Sequence, residues 1–137
     1  MRSLLLAAVL ALAPACDALP SFGSSVPDPC PEERYGSGEG YDQTARDCLW
    51  SAYSANKAAT FRTIRTTQKG DPLIYKVTVN AGKVELVYDN TLDSFATERG
   101  KQTLQCSRLE KSTEPQSGRI RFLANNCRGG DVKALVF

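Results

Sequence analysis

The chain has 137 residues, 17 of them basic and 15 acidic, for a net charge of +2, and it contains no histidine. The near balance argues against a general nucleic-acid binder. The missing histidine removes the Ser-His-Asp and Cys-His nucleophile systems and the commonest ligand for zinc, copper and non-haem iron. No metal and no cofactor are therefore expected. A chain of this length makes one domain, small enough that covalent staples matter to it.

Met1-Arg2-Ser3 forms a short basic start, and Leu4 to Ala13 is an apolar run too short for a bilayer, which takes about 20 residues. Together with the small-residue site Ala13-Pro14-Ala15 this reads as a signal peptide over 1–15. Leu12-Ala13-Pro14-Ala15-Cys16 resembles a lipobox, with Ala at −3 and Pro at −2 as departures, and it marks Cys16 as the candidate lipid-attachment residue. The other reading is ordinary cleavage with Cys16 left unacylated. Lipidation would account for the odd count of five cysteines, leaving Cys30, Cys48, Cys106 and Cys127 for two disulfides. Three connectivities are open; the simplest pairs neighbours, Cys30 with Cys48 and Cys106 with Cys127. No C-x-x-C spacing points to a redox motif or a zinc ribbon.

Residues 16–41 are rich in Pro, Gly and Ser and lack apolar periodicity, so they read as a tether. A single domain is expected over 42–137. It opens on a helix from Asp42 to Lys57 with Asp42 as N-cap, and Ala45, Cys48, Leu49, Ala52 and Tyr53 fall on one stripe. Trp50, the only tryptophan, lies about 140° round from Ala45, on the flank with Arg46, Tyr53 and Lys57. Trp50, Arg46 and Tyr53 are therefore the candidate binding residues. The competing reading has Tyr35, Tyr41 and the N-terminal segment folded over Trp50.

Ala59 to Thr67 is β-prone, although Phe61 and Ile64 fall on opposite faces, as a bulge or two-sided burial would require. Leu73, Tyr75, Val77 and Val79 then alternate with Ile74, Lys76, Thr78 and Asn80. After Asn80-Ala81-Gly82, Val84, Leu86 and Tyr88 alternate with Lys83, Glu85 and Val87, which predicts a β-hairpin. Asp89 to Asp93 is oxygen-rich, but an EF-hand loop fails at its sixth and twelfth positions, Ser94 and Gly100, and Asx turns explain it better. The turn acids Asp71, Asp89 and Asp93 are the candidates for a carboxylate-pair hydrolase, a reading that turn chemistry outweighs. Lys101 to Lys111 and Arg119 to Asn125 are weaker strands around a Pro115–Gly118 turn, which places Glu114 opposite Arg119 and Cys106 opposite Cys127. Val132 to Phe137 is expected to complete the sheet.

These elements define an α+β fold with one N-terminal helix packed on an antiparallel meander sheet of about five or six strands. The residues carry a resemblance as well: C-x-x-x-A-Y (Cys48 to Tyr53), F-x-x-x-R-T-T (Phe61 to Thr67), G-D-P-L (Gly70 to Leu73), Y-D-N-x-x-D-x-F (Tyr88 to Phe95) and the strand cysteine Cys106. Over residues 42–127 the pattern resembles a family of small secreted bacterial proteins and lipoproteins classed as a domain of unknown function. The resemblance implies export and a shared fold and brings no catalytic residue. The expectation is a non-catalytic envelope or secreted module that binds a protein partner, membrane-anchored through Cys16. The alternative is a small-ligand or lipid binder with a cleft between helix and sheet, lined by Trp50, Tyr53, Tyr75 and Tyr88.

Overall fold

The computed structural model describes residues 28–36, 39–130 and 134–137. The leader, Cys16 and the first part of the tether lie outside them. Strands β1 (Asp28–Pro29) and β2 (Glu33–Gly36) precede helix α1 (Gln43–Ser54). There follow β3 (Ala59–Thr66), β4 (Pro72–Asn80), β5 (Lys83–Asp89), β6 (Lys101–Cys106), β7 (Arg108–Thr113), β8 (Ile120–Asn125) and β9 (Ala134–Val136). The class is α+β with a sheet-rich core.

The alternation of Leu73 to Val79 with Val84 to Tyr88 produces the expected hairpin. Val77 faces Leu86 and Val79 faces Val84 across β4 and β5, and all four are fully buried. Asn80 pairs with Lys83, so the loop is the two residues Ala81-Gly82, with φ of 47° and 77°. Positive φ at both positions makes a type I′ turn, whose twist matches the strands it joins. Glycine adopts that backbone freely, whereas alanine does so against its own Cβ. Ala81→Asn should therefore stabilise the protein by roughly 1 kcal/mol, read as a melting-temperature rise of about 4–8 °C.

β3 to β6 form an antiparallel meander, but the sheet is not purely antiparallel. β1 and β2 both run parallel to β3 along its outer edge, Asp28 beside Ala59 and Glu33 beside Thr63. Residues 28–36, assigned by composition to the tether, are thus part of the sheet. Nor is there one sheet. The expected strand from Lys101 to Lys111 breaks at Ser107: β6 pairs with β5, while β7 joins β8 and β9 in a second, three-stranded sheet. The C-terminal strand completes this second sheet and not the first. Side-chain parity records the switch, since Leu104 and Cys106 are buried at even positions and Leu109 at an odd one.

One continuous apolar core joins both sheets and the helix, including Leu49, Phe61, Val77, Leu86, Leu104, Phe122 and Phe137. The inner face of β3 supplies Ala59, Phe61 and Thr63, while Ile64 is buried on the other face. Two-sided burial thus explains the parity conflict. The disulfides are Cys30–Cys48, which ties the β1 end to α1, and Cys106–Cys127, at the point where the chain changes sheets. Just past Cys127, Arg128 exchanges both main-chain bonds with Gln105 at 2.8 and 2.9 Å, which lays the Arg128–Gly130 segment along β6.

The helix begins as its sequence dictates. Asp42 has extended backbone, and its Oδ1 accepts from the Ala45 amide at 3.0 Å. It ends earlier than Lys57, because Asn56 takes a left-handed φ of 54° and the Asn56 and Lys57 amides turn back to the carbonyls of Tyr53 and Ala52. That pair of bonds is a Schellman stop.

Candidate functional site

Of the residues nominated by sequence, Trp50 and Tyr53 stay in contact and Arg46 is buried. Arg46 does not stand on an exposed flank: only 3% of it is accessible. Its guanidinium is bound to Glu33, itself 1% exposed, through Nε to Oε1 at 2.9 Å and Nη2 to Oε2 at 2.6 Å. Nη1 donates to the carbonyls of Ile120 and Phe137 at 3.0 and 3.1 Å. Glu33 also accepts from the Thr63 hydroxyl at 2.8 Å and from the Asp42 amide at 2.9 Å. In a capping box the side chain at N3 would reach back to the N-cap amide; here N3 is Ala45, and a carboxylate from β2 does that work.

Burial pushes the Glu33 carboxyl up in pKa. The bonds from Arg46, the Asp42 amide and Thr63 outweigh it and hold the group below its ordinary value. The pair therefore links β2, α1, β3, β8 and the chain terminus, and Arg46 is a structural residue.

Trp50 is half-buried. It stacks near Phe122 at 6.3 Å between centroids and lies 5.7 Å from Tyr53, with the Lys111 ammonium 5.2 Å above its ring. Neither Tyr35 nor Tyr41 covers it. The Tyr53 hydroxyl accepts from the Leu109 amide at 3.1 Å, which ties the helix to β7. Tyr75 packs on Tyr88 at 5.1 Å and on Phe137 at 6.3 Å. The four aromatics proposed to line a cleft are packed on core neighbours and do not line the cavity described next.

That cavity, of about 150 Å³, is lined by Tyr35, Tyr41, Arg46, Arg65, Arg119 and Arg121, with Glu114, Ile120 and Phe137. Tyr35 comes from β2 and Arg65 from β3, next in register to one another. Gly40 makes the return from β2 to the helix possible: its φ is +79°, and a Cβ there would sit 1.8 Å from the Arg34 carbonyl oxygen. The Arg65 and Arg119 guanidiniums lie 5.9 and 5.6 Å from the centre of the Tyr35 ring, and Arg119 donates to the Tyr35 hydroxyl at 3.0 Å. The Tyr41 hydroxyl accepts from the Ile120 amide at 2.6 Å, fixing the hairpin end of the second sheet over the helix start. Arg121 is ion-paired with Glu114. The Glu114 carboxyl is held below its ordinary value first by the Ser117 hydroxyl and then by the fields of Arg121, Arg119 and Arg46. Composition alone could not bring these residues together, because they lie in four separate segments.

A second feature is the β5–β6 connection. Asn90 clamps its base, donating from Nδ2 to the Glu98 carbonyl at 2.9 Å and accepting at Oδ1 from the Gly100 amide at 2.7 Å. The aspartates of the loop are engaged as turn residues: Asp89 with Thr91, Asp93 with the Phe95 amide, and Asp71 with the Ser94 amide. The bonds from Thr91 hold the Asp89 carboxyl below its ordinary value. This braced loop presents Leu92 and Phe95, 59% and 68% exposed, with Lys69 5.5 Å from the Phe95 ring.

Comparison with protein-family models, with curated proteins and with solved structures returned no match for the chain. Two disulfides are compatible with export. Among the described residues no helix is long and apolar enough to cross a membrane.

Proposed function

We propose that this chain is an exported, disulfide-stapled, non-catalytic module that binds a protein partner in the cell envelope, held near the membrane through lipid on Cys16. The observation that carries the protein-binding reading is the braced loop from Asn90 to Gly100. Exposed leucine and phenylalanine side chains cost solubility, and most single ones need no explanation. Here two large apolar groups sit on a loop whose backbone is fixed by side-chain bonds from Asn90, Asp93 and Asp71. Such bracing lowers the entropy lost when a partner closes over them. An apolar anchor within a polar rim is the usual form of an energetic centre in a protein interface. The signal peptide, the lipobox-like sequence ending at Cys16 and the resemblance of residues 42–127 to small secreted proteins support the cellular setting.

The test is affinity capture from detergent-solubilised envelope, with the wild-type chain beside a Leu92→Ser/Phe95→Ser double variant. A protein retained by the first and lost by the second, with at least a tenfold drop in recovery (about 1.4 kcal/mol), is the expected result. Equal recovery on both, or no specific capture by the wild type, refutes the reading.

A further inference from the structure

We propose that the arginine-tyrosine cavity between β2, β3 and the β7–β8 hairpin is a binding site for a phosphate group, either free or borne on a small monoester. Three observations carry this.

The first is charge. Four guanidinium groups line the cavity, and Glu114 brings the one side-chain carboxylate of its lining. Arg46 is set against the buried Glu33 and Arg121 against Glu114, so the charge that the site offers a guest rests on Arg65. The second is Arg65. It is half-buried on the inner side of β3 with its guanidinium against the Tyr35 ring, and among the described residues it has no carboxylate at ion-pair distance. A cation withdrawn from water in this way recovers its lost hydration when an oxyanion accepts its paired N–H donors, and the planar fork of arginine suits phosphate. The third is size. A cavity of about 150 Å³ holds a guest of roughly benzene's bulk, so one phosphate group fits.

The walls are also fixed before any ligand arrives. Tyr35 and Tyr41 meet edge to face at 6.4 Å, the Tyr41 hydroxyl is anchored to Ile120, and Arg46 is locked by Glu33. The ring of Tyr35 holds the Arg65 guanidinium at one wall without neutralising it, because an aromatic face attracts a cation and carries no charge.

The experiment uses the mature oxidised protein and inorganic phosphate as probe, at constant ionic strength near 0.15 M so that diffuse screening does not vary. Two-dimensional NMR should show saturable shifts at the Tyr35, Arg65 and Ile120 amides. Arg65→Gln should weaken the affinity at least tenfold, whereas Lys76→Gln, on the opposite face of the main sheet, should leave it unchanged. Arg65→Lys separates charge from fork geometry and should fall between wild type and Arg65→Gln. If Arg65→Gln does not fold by circular dichroism, Arg121→Gln, with its side chain 58% exposed, replaces it and should weaken binding in the same direction. A parallel titration with glycerol phosphate distinguishes the sources: tighter binding than inorganic phosphate means a monoester, equal or weaker binding means the free ion. The proposal is overturned if no saturable shift occurs, or if Lys76→Gln weakens binding as much as the cavity variants do. Neither result bears on the loop at Phe95.

Discussion

Replacing Glu33 with alanine is expected to cost about 3–5 kcal/mol, enough to unfold a large fraction of a marginal domain at physiological temperature. The loss comes from what is left behind. The Arg46 guanidinium stays in the core with the Ile120 and Phe137 main-chain oxygens but without the Glu33 carboxylate, and the Asp42 amide loses the acceptor that caps the helix. Arg46→Ala should cost as much, since it strands the carboxylate. A Glu33→Leu/Arg46→Met double variant should lose less than either single one, because two apolar groups leave no charge buried. Recovery will be partial, as the two carbonyls and the Asp42 amide stay without their partners. Urea midpoints for the wild type, Glu33→Leu, Arg46→Met and the double variant close the cycle and read the coupling directly, and additive losses would show that the pair is not acting as a unit.

The same pair gives the protein an acid limit. Glu33 has its folded pKa depressed below the ordinary value of 4.5. Its contribution is complete at pH values above that figure and is lost as pH falls through the folded pKa. Stability measured at pH 7, 4 and 3 should drop steeply. The difference between wild type and Glu33→Gln should shrink over the same interval, which removes the smaller contributions of Glu32, Asp89 and Glu114.

Reduction of the two disulfides is the second large effect. Each closes a short loop, with separations of 18 and 21 residues, worth about 3 kcal/mol apiece in the chain-entropy treatment. Losing both removes about 6 kcal/mol, comparable with the whole stability of a domain this size. Thermal melts of the native protein, of Cys30→Ser/Cys48→Ser and of Cys106→Ser/Cys127→Ser, with and without reductant, should rank the oxidised protein first and the fully reduced chain last. A reduced protein that melts within a few degrees of the oxidised one would show that the apolar core suffices alone.

What the sequence disclosed and what it concealed follow from the range of the interactions. The β4–β5 hairpin was legible because its information is local: alternating side chains and a Gly-containing turn between Leu73 and Tyr88. So was the Asp42 cap. The offset that sets Glu114 against Arg119 also sets Cys106 against Cys127, and both the main-chain bond and the disulfide are present. Parallel pairing of β2 on β3 has no such local trace, since the partners lie 30 residues apart (Glu33 beside Thr63) and are joined through a helix.

Arg46 was misplaced for a related reason. A charge on a helix flank looks solvated until its partner is known, and that partner lay in a segment whose Pro, Gly and Ser content reads as linker. The parity slip between Cys106 and Leu109 was the available sign of the second sheet. The cavity had none, because Tyr35, Arg46, Arg65 and Arg119 converge only once both sheets are in place.

The position of the Arg128–Gly130 segment has a further consequence for the oxidised state. β6 is the last strand of its sheet, and that segment is what lies along its outer edge, so close that a Cβ at Gly129 would fall 2.6 Å from the Thr103 carbonyl oxygen. The Cys106–Cys127 bond holds it there. Once the bond is cut, the edge can shed its glycine cover and offer unpaired amides and carbonyls to another chain. Reduction would then expose a template for strand-by-strand polymerisation, with the disulfide acting as a guard on solubility as much as on folding.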